Sequence, residues 1–247
     1  MPNVWLKLSD PFKTFGVFDG MLYAIDRVLC LISTRLRLFV YELMAQPITN
    51  KALLPPNLVK NLTFCEIGPG YPDIALMPAR EDIKLARFAQ GAKCLGAYRK
   101  GQLIAYLWFC FNQYEEDEVR CTYELTDTAH SVFDFDLYVI PEHRMGVGFL
   151  GLWHGANQYL LERGVKYTFS RLTRFNVASR RAHAHLGWKC VARAIFIQAW
   201  RLELMFANIP PFVAMTWGKD SRIKLRLDAT VHENLPQPSA TEAEGPT

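Results

Sequence analysis

Three absences narrow what this 247-residue chain can do. Its six cysteines, Cys30, Cys65, Cys94, Cys110, Cys121 and Cys190, are widely spread, and no two stand at the CxxC spacing of a zinc or redox site. Several fall in apolar strand-like runs and read as small buried hydrophobes in a reducing compartment. The six histidines form no ligand signature: His183 and His185 are two apart, so on a helix they point in different directions. No metal is expected. Charge of one sign is also scarce. The net charge is +4, with no dense Lys/Arg stripe, so nucleic acid is not an expected partner. Long uncharged hydrophobic runs are missing where one would look first. The apolar stretch Met21 to Met44 holds Asp26, Arg27, Arg35, Arg37 and Glu42, too many charges for a spanning helix of about 20 residues. Asp10 and Lys13 interrupt the start, and no secretory signal is read there. There is no internal repeat. The expected location is cytoplasmic.

What is present is ample material for a core: half of the residues are hydrophobic and 13% aromatic. Residues 1–50 read as an N-terminal extension. Met21 to Ser33 has helical periodicity, and Arg35 to Leu43 alternates as a strand, with Leu36, Leu38 and Val40 on one face. This segment is expected either to pack on the main domain or to touch a membrane surface peripherally through residues 21–44. Gln46 to Asn57, with three prolines, reads as a linker into a main domain over residues 51–206. Residues 207–227 form a C-terminal extension. Residues 228–247 lack a hydrophobic period and are expected to be a disordered tail. Within the main domain, Leu62 to Ile67 is a short strand. Asp73 to Ala89 is a helix interrupted by Pro78. Arg99-Lys100-Gly101-Gln102 turns a hairpin between Cys94–Tyr98 and Leu103–Phe111. The run Tyr114 to Glu118 reads as a solvated charged loop, and Val119 to Leu125 as an extra strand.

Two segments carry the chemistry. The first is Val139-Ile140-Pro141-Glu142-His143-Arg144-Met145-Gly146-Val147-Gly148. It closes a strand rich in Phe, Tyr, Val and Ile. It opens a helix, Phe149 to Arg163, with Leu152, Trp153, Ala156 and Leu160 at helical spacing. Pro141 cannot donate to a strand ladder and stops the strand. Gly146 and Gly148 permit a tight turn and a close approach by a ligand. The helix's first amides lack partners and its dipole favours an anion, so the turn reads as a phosphate or pyrophosphate cradle. The second segment is Asn176 to Trp188. Asn176 suits a helix N-cap and Gly187 a helix stop. Asn176, Ser179 and His183 recur at three- and four-residue steps and share one face.

Together these segments resemble the GNAT acyltransferase superfamily, over about residues 60–205. There a strand ends in V-x-P, and a Q/R-x-x-G-x-G/A loop binds the coenzyme A pyrophosphate. A later helix carries N-x-x-A/S-x-x-x-Y-x-x-x-G-F/W. Asn176, Ser179 and Gly187-Trp188 match that helix, with His183 at the usual Tyr position. Counting back from the glycines puts His143 at the Q/R position, and counting forward from Val139 puts Arg144 there. The resemblance implies a mixed, mostly antiparallel α/β (α+β) sheet flanked by helices. It implies acyl transfer from acetyl-CoA or another acyl-CoA, or an acyl carrier protein, to a small-molecule or peptide amine. It places Leu137, Tyr138 and Val139 on a bulged strand beside the pantetheine arm, with Asn176 on the arm's other side. The turn from His143 through Arg144, Met145, Gly146 and Val147 to Gly148 lies at the phosphates, where Arg180 or Arg181 either joins it or stays in solvent. His183, if protonated, would serve the departing thiol; otherwise solvent does.

For the base, Asp134 and Asp136 alternate on the strand into the turn, and repulsion between them would raise one pKa. Asp136, or a water it orders, is the expected base, with Glu124 and His130 as further candidates. Two other readings stand beside this one. Glu66-Ile67-Gly68-Pro69-Gly70 after a strand resembles the first motif of S-adenosylmethionine-dependent methyltransferases. A degenerate domain that binds an acyl donor without turning it over is the third. The oligomeric state is open.

Overall fold

Alternating or continuous apolar runs make twelve strands, and the computed structural model describes residue 12, residues 14–144 and residues 146–228. Helix α1 (Val17–Ile32) leads into a long strand, β1 (Leu36–Pro47). A single helical turn, α2 (Pro56–Val59), precedes β2 (Leu62–Ile67). A 3-10 segment (Pro72–Leu76) and α3 (Glu81–Ala89) follow, with Pro78 between them. Next come the hairpin β3 (Lys93–Arg99) and β4 (Gln102–Cys110), then β5 (Gln113–Glu115), β6 (Cys121–Leu125) and β7 (Ser131–Val139). After a 3-10 turn (Pro141–His143) the order is α4 (Gly148–Leu161), β8 (Tyr167–Thr173) and α5 (Val177–Ala184). The chain closes with β9 (Lys189–Ala199), β10 (Leu202–Ala207), β11 (Val213–Trp217) and β12 (Ile223–Leu227).

Nine strands form one sheet in the order β11-β10-β9-β1-β8-β7-β4-β3-β2, and β12, β6 and β5 form a second, smaller one. Every pairing in the large sheet is antiparallel except β7 with β8. The hairpin expected at Arg99–Gln102 is present, with Lys100 and Gly101 both at positive φ, 52° and 77°. That is the backbone of a type I′ turn, whose twist matches its strands. One face of the sheet packs on α4 through Leu152, Trp153, Ala156 and Leu160. The other face packs on the small sheet, where Tyr114, Tyr123 and Phe133 stack. Each fully buried ring or leucine contributes roughly 1.5–3 kcal/mol by leaving water.

The structure revises several boundaries. β1 lies between β8 and β9, deep within the sheet, so residues 36–47 are not an extension. Residues 207–227 are likewise integrated, because β11 ends the large sheet and β12 pairs in parallel with β6. The charged run is solvated only in part: Glu118 is exposed, but Glu116 is 1% exposed and faces Arg171, which is tied to it by two hydrogen bonds of 2.7 and 2.8 Å. β2, β3 and β4 form an antiparallel meander, which removes the parallel strand–helix alternation a methyltransferase motif needs. Glu66 is taken up by Tyr159 at 2.8 Å and Arg163 at 3.2 Å. Cys94, Cys110 and Cys121 are buried, whereas Cys65 is exposed. No described helix is long and apolar enough to cross a membrane. The expectations for Met145, for the signal-free start and for the tail from residue 229 lie outside the described residues.

Candidate functional site

β7 and β8 are the only parallel neighbours in the large sheet, and they pair at just three positions, Ser131↔Tyr167, Val132↔Thr168 and Phe133↔Phe169. Beyond these the strands part. β7 keeps its pairing with β4 but slips register there: Trp108 faces Phe135 and Tyr106 faces Tyr138. The one extra residue on β7 forms a bulge, and Asp136 takes the strain at φ 48°. A left-handed backbone at Asp costs less than at a bulky or β-branched residue. A parting of parallel strands is a place where main-chain groups and side chains of both strands face a gap. Here the gap is a cavity of about 430 Å³. Asp134, Asp136 and Leu137 line it from β7, and Asn176, Ser179 and His183 from the α5 side.

The α5 wall is built by its sequence. Asn176 Oδ1 accepts a hydrogen bond of 3.1 Å from the Ser179 amide, the expected N-cap. Gly187 at φ 78° ends the turn after the helix. Arg180 is not free for a ligand: its Nε lies 2.8 Å from the buried Glu42 carboxylate of β1. His183 is 3% exposed and meets Phe149 and Trp153 edge-on at 5.3 and 5.8 Å. Burial lowers its pKa to about 4, so the imidazole is neutral at physiological pH. At neutral pH it is therefore an N–H hydrogen-bond donor and not an imidazolium.

The glycine turn adjoins the cavity through the Phe149–His183 contact. Its backbone folds back on itself: the His143 amide donates to Ile140 and the Gly146 amide to the His143 carbonyl. A Cβ on Gly148 would lie 2.5 Å from Val139 Cγ1 and 2.9 Å from the His143 carbonyl, so only glycine fits. Gly146 is unconstrained, its nearest neighbour being 3.8 Å away. No side chain caps the start of α4 at Val147, which leaves its first-turn amides for an anion. Arg144 is exposed, with Nε donating 3.1 Å to the Val139 carbonyl and its guanidinium 5.5 Å from the Tyr138 ring centroid. His143 is half-buried beneath the turn. Of the two residues competing for the basic position, Arg144 is the one presented outward.

The two carboxylates of β7 have different settings. Asp136 Oδ2 accepts from Arg87 Nη1 at 2.5 Å, and Arg87 also binds Asp117 at 2.6 Å. Burial pushes the Asp136 pKa up against the pull of Arg87. Asp134 is 3% exposed and has no cationic partner, and its Oδ1 lacks a hydrogen-bond partner. Burial pushes it up to about 7. Desolvation, and not repulsion from Asp136, produces the shift. Glu124 is held by Lys224 and Arg226 in the small sheet, and His130 pairs with Asp127 at 3.0 Å; neither lines the cavity. Arg87, Asp117, Glu118 and Arg171, which do line it, escaped sequence reasoning. An arginine inside the strand-like stretch Tyr167–Thr173 was the available signal for Arg171. Among the described residues, no group of three His, Cys, Asp or Glu side chains is placed to hold a metal.

The chain matches no protein-family model and no curated protein. It is similar in fold to solved GNAT structures. One is a tandem GNAT protein from the clavulanic acid biosynthesis pathway, solved without acetyl-CoA, at 15% identity and a TM-score of 0.45 over 66% of this chain and 53% of that one. A putative GNAT acetyltransferase from Novosphingobium aromaticivorans gives 13% identity and 0.39 over 63% and 62%. The putative acetyltransferase yncA from Salmonella typhimurium, solved with acetyl-CoA, gives 17% and 0.37 over 51% and 79%. The chain spans about half the length of the first of these. At such identities these are likenesses of fold alone.

Proposed function

We propose that this chain is a GNAT-type acyltransferase that moves an acyl group from a coenzyme A thioester directly to an amine. The observation that carries the proposal is the parting of β7 and β8 after Phe133 and Phe169, with a cavity between them beside the uncapped start of α4. The residues fit the donor. First-turn amides of α4 and the outward Arg144 suit a pyrophosphate, and Gly148 keeps the turn closed enough to present them. Main-chain groups of Leu137 at the bulge, opposite Asn176 and Ser179, suit an amide-bearing arm.

In the transfer, the amine nitrogen forms a bond to the thioester carbonyl carbon, the carbon–sulfur bond breaks, and the amine loses a proton as the thiolate gains one. Asp134 suits the first proton, directly or through a water. A carboxylate near neutral pKa and free of a cation can take a proton at physiological pH. Asp136, the base expected from spacing, is instead engaged by Arg87 and orients the bulge. His183 is proposed as a neutral N–H donor toward the sulfur, with solvent supplying the second proton. Two guanidiniums, Arg87 and Arg171, face four carboxylates, Asp117, Glu118, Asp134 and Asp136, around the cavity. That excess of negative charge favours an amine that arrives as its ammonium form, which releases one proton to solvent before the neutral nitrogen attacks.

The test is a thermal shift with coenzyme A and acetyl-CoA, using S-adenosylmethionine as control, followed by thiol release across a panel of primary amines. A rise in melting temperature with the coenzymes and amine-dependent thiol release are expected. Stabilisation without release under any amine would mark a donor-binding module, and no stabilisation would overturn the proposal.

A further inference from the structure

Helix α1 is amphipathic the wrong way round for a helix that merely packs. Its buried residues are Asp19, Gly20 and Asp26. Asp26 accepts from the Leu38 amide at 3.0 Å and from Arg37 Nε at 3.2 Å, and Asp19 lies 2.6 Å from Arg174. Both carboxylates are thus seated on the protein, with Leu22, Tyr23 and Leu29 half-buried beside them. Phe18, Met21, Ile25, Val28 and Ile32, spaced by three and four residues, form a stripe on the outer side, each 44% exposed or more. A surface helix ordinarily turns such a stripe inward, where it gains about 25 cal/mol per Å² removed from water. Here that gain is forgone among the described residues.

The sheet offers a second apolar face beside the helix. α1 packs on β1, and its Asp19 shares Arg174 with Glu42, which alternates with Leu38 and Val40 on one face. Register carries that face outward across three strands. Ile195, Phe206 and Val213 stand in one row. Ile197, Leu204 and Met215 form the next, and Ala199, Leu202 and Trp217 the last. All nine are apolar. Exposure rises toward the edge, to 67% at Met215 and 66% at Trp217. Monomeric proteins rarely leave apolar patches this continuous without a use. At the end of these strands Arg35, Trp200, Arg201, Trp217 and Lys219 line one shallow hollow. The Trp200 amide donates to the Arg35 carbonyl, which fixes the tryptophan beside the cation.

We propose that the outer side of α1 and the uncovered face of β9, β10 and β11 form one docking surface for an anionic lipid bilayer. Tryptophan with lysine and arginine around an apolar centre matches the headgroup and acyl boundary. The cations of the rim are of one sign, which anionic lipid complements and a second copy of the chain does not. The docking is peripheral, since α1 is held to the protein through the buried carboxylates of Asp19 and Asp26 and no described helix is long and apolar enough to cross a membrane. α1 then lies between the bilayer and Arg174, which sits two residues before Asn176 of the cavity wall.

The experiment is co-sedimentation of the full chain with vesicles of phosphatidylcholine alone and of phosphatidylcholine mixed with phosphatidylglycerol. Binding to the mixed vesicles is expected, at least about tenfold tighter than to the neutral ones and weakening with salt, since each basic residue near an anionic surface contributes about 1 kcal/mol. Val28→Gln with Met215→Gln should abolish it, and Arg201→Glu with Lys219→Glu should weaken it about thirtyfold or more, with circular dichroism unchanged because all four positions are at the surface. No binding of the native chain to mixed vesicles overturns the proposal. So does a dimer in solution that the Val28→Gln, Met215→Gln variant dissociates, which would make the second copy the occupant. Donor binding and thiol release are scored separately, so failure of docking leaves the transfer reading standing, and the reverse.

Discussion

Arg87 Nη1 lies 2.5 Å from Asp136 Oδ2, joining α3 to the bulge of β7 across the mouth of the cavity. The same guanidinium holds Asp117 and lies over Trp108 and Phe135 at 5.4 and 5.3 Å from their ring centroids. One buried cation thus ties together the bulge, the loop after β5 and the helix that faces them. Asp134, two residues earlier, is left without such a partner, and this difference divides the two carboxylates into a fixed one and a free one.

Arg87→Met should destabilise the fold by about 3 kcal/mol or more, because it leaves two largely buried carboxylates without their cation. Urea midpoints measure this. The double variant Arg87→Met, Asp136→Asn should recover part of the loss. An unchanged midpoint in the single variant would show that the pair is not structural.

Asp134→Asn should lower thiol release at least about a hundredfold at neutral pH while leaving coenzyme A affinity within a few-fold, the size expected for a lost proton acceptor. Asp136→Asn should lower release less and should also weaken the fold, since Asp136 is bound to Arg87. Equal activity in Asp134→Asn and the native chain would remove Asp134 as base.

Gly148→Ala and Gly146→Ala separate closeness from flexibility. The added methyl meets Val139 Cγ1 and the His143 carbonyl at position 148 but nothing closer than 3.8 Å at position 146. The first should cost roughly 1–3 kcal/mol and weaken coenzyme A binding at least about tenfold as the turn opens. The second should bind normally. Calorimetric titration of both decides.

Much of this was legible in the chain because it depends on local pattern. Asn176 caps α5, Lys100 and Gly101 turn the hairpin, and Pro141 ends β7, each through its own backbone preferences. What local pattern does not contain is the partner across the fold. Glu116, Asp117 and Glu118 have the composition of a solvated loop, and only the approach of Arg87 and Arg171, 30 and 55 residues distant in sequence from their partners, makes them an ion-pair network in which Glu116 is buried and Glu118 stays half exposed. The place of β1 was hidden for the same reason. Leu36 to Pro47 reads as a strand, but nothing in its residues says that β8 and β9 flank it. At the site, Asp134 and Asp136 were found by alternation, while their assignment turned on the bulge and on burial. The bulge comes from the register of β7 against β4 and the burial from what packs over the strand, and local pattern contains neither.

The burial effects on Asp134 and His183 oppose one another, which gives a test that needs no substrate. A carboxyl has a pKa near ~3.9 when unfolded, and Asp134 is pushed up to about 7 when folded. The folded state therefore keeps a proton that the unfolded state releases, and stability falls as pH rises from about 4 to about 7. His183 goes the other way: its ordinary value near ~6.5 drops to about 4 on burial. The unfolded state takes up a proton that the folded state refuses, and stability falls as pH drops from about 6.5 to about 4. Over the shared window the two slopes have opposite sign and about the same size, roughly 1.4 kcal/mol per pH unit each, so in the native chain they nearly cancel. Asp134→Asn should uncover the histidine, giving a fold that loses stability on acidification below about pH 6.5. His183→Gln should uncover the aspartate, giving a fold that loses stability as pH rises from about 4 to about 7. Urea midpoints of the three proteins at half-unit steps of pH would show diverging profiles. Parallel profiles would mean that neither group is buried as the cavity requires, and with that the assignment of Asp134 as the free base would fail as well.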